Sequence, residues 1–108
     1  FNRVVFTNNT AGNGGAVFVA SDMNSGNVTF YNCSFDANHA TATGGRGGAA
    51  FVSSDGPAGV GFTLCTFKQN TATTGYGGAI YAEGGYVAVN ECVIDGNAAT
   101  GGGGATFR

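Results

Sequence analysis

Three kinds of residue in this chain could do chemistry. Cys33, Cys65 and Cys92 supply thiols, which can ligate zinc, form disulfides or act as nucleophiles once ionised. Asp36 and Asp95 supply carboxylates, the groups that glycoside hydrolysis uses in pairs. Asn8, Asn27 and Asn32 open the triplets Asn8-Asn9-Thr10, Asn27-Val28-Thr29 and Asn32-Cys33-Ser34, the acceptor signature for N-glycosylation in a secretory chain. His39 is the sole histidine, and Arg3, Arg46 and Arg108 are scattered. Which of these groups can meet depends on the elements that carry them.

The cysteines belong to a repeat. Each lies five residues before an asparagine, Asn38, Asn70 or Asn97, and Val4 holds the same place before Asn9. Three residues before each Asn stand Phe6, Phe35, Phe67 and Ile94; eight before stand Phe1, Phe30, Phe62 and Val89; ten before stand Val28, Val60 and Val87. Each Asn opens an Asn-x-Ala triplet. A Gly-Gly-Ala follows it, and two places after that Ala comes an aromatic: Phe18, Phe51, Tyr81 or Phe107. The Asn-to-Asn steps are 29, 32 and 27 residues. Length variation is confined to the stretch after each aromatic and to a loop before each glycine pair: Gly12–Asn13, Thr41–Arg46, Thr73–Tyr76 and Thr100–Gly102.

A period of this length with one leucine, Leu64, cannot make leucine columns, and no run of helix formers has a 3.6-residue period. The pattern is instead one of short alternating pieces such as Val28-x-Phe30 and Cys33-x-Phe35, which read as strands of three to five residues. The reading is all-β: a right-handed, single-stranded parallel β-helix of about four coils of 27–32 residues, with three short strands per coil. One solenoid segment spans 1–108, its coils approximately 1–27, 28–59, 60–86 and 87–108. Both ends cut into the repeat, so the segment is expected to come from a longer rod. One coil cannot bury its apolar face alone; its neighbours supply the hydrogen bonds and the core. Coils then rise by about 4.8 Å each, the strand spacing of a sheet, and every repeated position becomes a ladder.

Stacking decides the chemistry. The ladder Phe6, Phe35, Phe67 and Ile94 should point inward with Val4, Cys33, Cys65 and Cys92. Three thiols in line are then apolar fillers; they lack the convergence of a zinc site, and their parallel Cβ vectors suit a disulfide poorly. The outward column reads Thr7, Asp36, Lys68, Asp95, so the two carboxylates lie near 10 Å apart with a lysine between, too wide for a glycosidase pair. Asn9, Asn38, Asn70 and Asn97 mark a bend, where Asn tolerates left-handed backbone and its amide can pair with those above and below. The glycine pairs let the chain turn where a Cβ would clash. Gly12-Asn13-Gly14 and Gly101–Gly104 lack the lysine and the strand-to-helix setting of a phosphate loop. His39 should face outward as an ordinary surface residue. Gly-Gly-Ala leaves the parity of the next strand open: either Val17, Ala50, Ile80 and Thr106 face inward, or Phe18, Phe51, Tyr81 and Phe107 do. Outward aromatics would form an exposed stripe and a partner-binding site.

The units Cys33-x-Phe35-x-x-Asn38, Cys65-x-Phe67-x-x-Asn70 and Gly78-Ala79-Ile80-Tyr81 resemble the FxxN and GGAI repeats of polymorphic outer membrane proteins. The resemblance runs over essentially the whole chain, though the last coil departs from it with Ile94 for Phe and Thr106 for the aliphatic residue. In that family the residue after Gly-Gly-Ala looks inward, which favours outward aromatics. The resemblance implies an extracellular or cell-surface protein: an adhesin, scaffold or filament component.

The expected function is therefore non-catalytic, structural or adhesive, with no cofactor and no metal. Expected partners are other copies or neighbouring coils of the same protein, other extracellular proteins, or glycans. Charge is low, with a net of -2 and no basic cluster, which argues against nucleic acid. No apolar run reaches the length of a membrane span. One alternative is a pectate-lyase-like carbohydrate-active enzyme, which would need clustered acids and a catalytic Arg or Lys; Asp22 and Asp55 fall in loops instead. Another is ice binding through Thr41, Thr43, Thr71 and Thr73, whose loops differ in length.

Overall fold

The computed structural model describes residues 1–21, 27–54, 59–84 and 86–107, without the side chains of Ser21, Ser54, Thr106 and Phe107. Asp22, Asp55 and Arg108 lie outside the described residues. The chain runs through β1 (Val5–Thr7), β2 (Thr10–Ala11), β3 (Val17–Ser21), β4 (Val28–Tyr31), β5 (Ser34–Asp36), β6 (His39–Ala40), β7 (Ala50–Ser54) and β8 (Gly59–Thr63). It continues through β9 (Thr66–Lys68), β10 (Thr71–Ala72), β11 (Ile80–Glu83), β12 (Tyr86–Asn90), β13 (Val93–Asp95), β14 (Ala98–Ala99) and β15 (Ala105–Phe107). No helix occurs among the described residues.

Strands one coil apart pair in parallel and make four sheets: β1-β5-β9-β13, β2-β6-β10-β14, β3-β7-β11-β15 and β4-β8-β12. The molecule is a parallel β-helix of about four coils. The second, third and fourth coils contribute four strands each where patterning gave three. The added strand is the residue pair after each Asn, too short to show alternation. It forms because the Asn carbonyl accepts the next coil's amide: His39 N–H to Asn9, Thr71 N–H to Asn38 and Ala98 N–H to Asn70, all at 2.8–2.9 Å.

The ladders are in register. Phe6 stands on Phe35, Phe35 on Phe67 and Phe67 on Ile94; Phe30 stands on Phe62 and Phe62 on Val89. In the third sheet Phe18 stands on Phe51 and Phe51 on Tyr81. The last rung slips by one: Tyr81 pairs with Thr106, and Phe107 pairs with Ala82. Phe107 thus leaves the expected aromatic column, and Ala105 replaces Thr106 beside Ile80. The run Gly101–Gly104 that leads into β15 has no side chains to hold the register.

Two aromatic stacks fill the core. Phe1, Phe30 and Phe62 lie face to face at 4.9 and 5.0 Å, and Phe6, Phe35 and Phe67 at 4.8 and 4.7 Å. These separations are the strand spacing itself. A face-to-face stack alone is a poor aromatic geometry. Here each ring also meets the other stack edge-on, as Phe35 meets Phe30 at 5.6 Å and Phe62 at 5.9 Å. Removing a buried ring such as Phe35, fully shielded from solvent, typically costs about 3–5 kcal/mol.

Three corners turn each coil through left-handed backbone. The first was expected at the asparagines, but it falls one residue earlier: Asn8, Ala37, Gln69 and Gly96 have φ of 56°, 55°, 54° and 68°. The second precedes the Val4 and cysteine column, at Arg3, Asn32, Leu64 and Glu91. The third is glycine in every coil, at Gly14, Gly47, Gly77 and Gly103. A Cβ on Gly47 would drive into the Ala50 carbonyl, so this corner excludes side chains on two grounds. The other two accept a side chain at a cost of about 1–2 kcal/mol for a non-glycine residue. Ala37→Gly should therefore raise unfolding free energy by up to about 1 kcal/mol, while Ala37→Val should lower it, as read by urea denaturation.

Candidate functional site

The asparagine ladder is the most completely connected polar feature of the molecule. Asn38 Oδ1 accepts the Asn9 backbone N–H and Nδ2–H, both at 3.0 Å. Asn38 Nδ2 donates to Asn70 Oδ1 at 2.9 Å and to the Phe6 carbonyl at 3.0 Å. Asn70 repeats the pattern: its Oδ1 takes the Asn38 N–H, and its Nδ2 gives to Asn97 Oδ1 and the Phe35 carbonyl. Asn38 and Asn70 are fully buried, and every donor and acceptor of their side chains has a partner. The sequence points to structural turn asparagines whose amides pair between rungs. The amides do pair between rungs, and Asn38 and Asn70 belong to the core.

The thiols hold the corner at the other end of the first-sheet strands in a weaker version of the same arrangement. Cys65 Sγ donates to the carbonyls of Phe30 and Thr63, both at 3.4 Å, and Cys92 Sγ to those of Phe62 and Asn90, both at 3.3 Å. All three cysteines are free. Burial pushes the Cys65 thiol up, a hydrogen bond with the Cys33 backbone offsets part of the rise, and the Cys92 thiol adds to it. A raised thiol disfavours the nucleophilic thiolate. Among the described residues no group of three or more His, Cys, Asp or Glu could hold a metal.

Asp36, Lys68 and Asp95 stand on successive rungs, all solvent-exposed. His39 lies in β6 between Thr10 and Thr71 and is half-buried. Asn8, Asn27 and Asn32 are exposed; Asn8 and Asn32 sit at left-handed corners. Thr71 is in β10, and the Thr41 hydroxyl is turned to the Ala11 carbonyl. These residues do not converge on one another.

Of the third-sheet aromatics, Phe18, Phe51 and Tyr81 face away from the core, which takes Ala50 and Ile80 inward. They do not form an exposed stripe. Phe18 is 54 % exposed, but Phe51 and Tyr81 are only 7 % and 1 % exposed. Arg46 covers them, its guanidinium carbon 5.2 Å from the Tyr81 ring and 6.0 Å from that of Phe51. Its Nη1 lies 3.7 Å from Glu83 Oε2. The Nε hydrogen is buried without an acceptor, so ring faces hold that edge of the group. The Tyr76 ring adds a flank, 6.4 Å from Tyr81. Patterning missed this cover, although its signal is present. Asn13, Arg46, Tyr76 and Gly102 all directly precede a glycine pair, and they stack: Arg46 bridges Tyr76, Tyr76 bridges Gly102, and Asn13 Oδ1 accepts the Arg46 N–H at 3.0 Å.

Two outcomes follow from these ladders. Asn70→Ala strands the buried Asn38 donors and should cost about 3 kcal/mol or more, since each unpaired buried group costs about 1–3 kcal/mol. Asn70→Asp keeps the acceptor, but only its protonated form can donate to Phe35. Relative to the parent, that variant should be more stable in mild acid than at neutral pH by thermal melting. For the thiols, iodoacetamide on the native chain should label half-buried Cys92 well before Cys33 and Cys65. The raised Cys65 thiol favours the fold while protonated, so its contribution is complete below the ordinary thiol range and is lost as pH rises from there through the raised value of the folded chain.

A model of the Chlamydia polymorphic membrane protein repeat matches residues 3–20 and 64–83. Both stretches cover the same part of a coil, from the second left-handed corner through the Asn ladder to the outward aromatic of the third sheet. No curated protein and no solved structure matches the chain. The chain is a parallel β-helix built on a repeat that resembles that of the polymorphic membrane proteins.

Proposed function

We propose that the chain is a non-catalytic scaffold displayed at a cell surface, whose outer faces are its working parts in adhesion or in a surface layer. The observation that carries this reading is the dispersal of its reactive groups. Asp36 and Asp95 are separated by Lys68 in one outer column, His39 stands on another sheet and the thiols are turned inward, while the connected networks, the Asn ladder and the aromatic stacks, serve the core. The repeat match supports a surface setting, since the family is one of membrane proteins. No helix among the described residues is long and apolar enough to cross a membrane.

Latex beads coated with the chain should adhere to cultured epithelial cells more than beads coated with the unfolded Asn38→Ala/Asn70→Ala double variant. Equal adherence of the two would remove the adhesive part of the reading. Turnover of polygalacturonate by the purified chain would contradict the non-catalytic part.

A further inference from the structure

The glycines of this fold mostly occupy corners or close approaches, but Gly61 does neither. It lies in the interior of β8, outside the left-handed region, and a Cβ added there would touch only the Thr29 Cγ2 at 3.8 Å. A strand-interior glycine weakens a sheet, and it is a position where a ligand can approach the backbone closely. Gly59, two residues earlier on the same outward face, extends the gap between Asn27 on the coil before and Tyr86 on the coil after. The result is an open groove of about 460 Å³ on the outside of the fourth sheet, within the size range of small-molecule sites. Its floor is Gly61 and Ala88, its sides Asn27, Thr29 and Tyr86.

The lining selects a chemical class. None of its side chains is charged, whereas the first sheet's outer face carries Asp36, Lys68 and Asp95 and the third carries Arg46 and Glu83. An ionic ligand would be desolvated in the groove with no counter-charge. Tyr86 offers a ring that is 71 % exposed. Asn27 has its Oδ1 fixed by the Gly59 N–H at 2.8 Å, which presents the amide hydrogens as donors, and Thr29 adds a hydroxyl. The β8 backbone is paired on both sides, with β4 and β12, so a peptide cannot bind here as an added strand. A flat apolar ring face beside neutral donors and acceptors matches a sugar ring, whose C–H face can lie on tyrosine while its hydroxyls meet Asn27 and Thr29.

We propose that this groove binds a short neutral oligosaccharide. The site gives the adhesive reading its ligand, and it rests on that reading for its purpose. The test is a ¹⁵N-NMR titration of the chain made in bacteria, so that Asn27 carries no glycan, with cellotriose and tri-N-acetylchitotriose. Trigalacturonate serves as the charged control. At least one neutral trisaccharide should shift the Gly59, Gly61 and Tyr86 amides saturably, and trigalacturonate should not. Tyr86→Ala should weaken binding at least tenfold. Gly61→Thr, which fills the groove with a strand-favouring residue, should abolish binding while the melting temperature holds or rises. Absence of saturable shifts with both neutral sugars, or binding untouched by both substitutions, would overturn the groove. Bead adhesion is scored separately, so loss of one result leaves the other standing.

Discussion

A single chain of primary amides runs through this molecule from coil to coil. Each buried Asn must have four hydrogen-bond positions filled, because an unpaired polar group in a dry core is costly. They can be filled only if another Asn lies one strand spacing away and a carbonyl of the preceding coil faces the same line. The ladder therefore demands in-register stacking and penalises any slip between coils. Asn70 supplies the acceptor for Asn38, and Asn97 supplies the one for Asn70. Hydrophobic burial drives coils together without specifying register; the amides specify it.

The rest of the core follows from that register. Once the rungs are locked, Phe6, Phe35 and Phe67 must lie face to face at the strand spacing, and so must Phe1, Phe30 and Phe62. The two stacks interlock edge to face and leave little freedom in either. The left-handed residue before each Asn turns the chain so that its side chain enters the core. Where the ladders give out, so does the register. At β15, after four glycines, the third sheet shifts by one residue.

Much of this was legible in the sequence because stacking turns periodicity into contact. Residues 27–32 positions apart are touching residues, so the repeat located the Phe, Cys and Asn columns directly. What escaped was of three kinds. The two-residue strands β2, β6, β10 and β14 carry no alternation to detect. Residue type did not reveal the left-handed corner: Ala37 and Gln69 adopt it although Asn stands next to each, because the buried amide, and not the turn, is what requires Asn. The cover over Phe51 and Tyr81 comes from a column whose members, Asn13, Arg46, Tyr76 and Gly102, share a position but no chemistry. The outward direction of those aromatics agreed with the family resemblance, yet exposure depended on Arg46, which patterning treated as scattered charge.

The same logic separates framework from surface. Positions bound by the ladders cannot vary without cost, so variation falls on the outer columns and the loops, where a partner can be recognised without disturbing the stack. The central claim, that the amide ladder is a buried continuous network, can be measured directly by hydrogen exchange of asparagine side chains. The Nδ2 hydrogens of Asn38 and Asn70 should exchange as slowly as the backbone amides of Phe35 and Phe67, and only on global unfolding. Exchange as rapid as that of the exposed Asn27 amide would contradict the ladder and the register built on it.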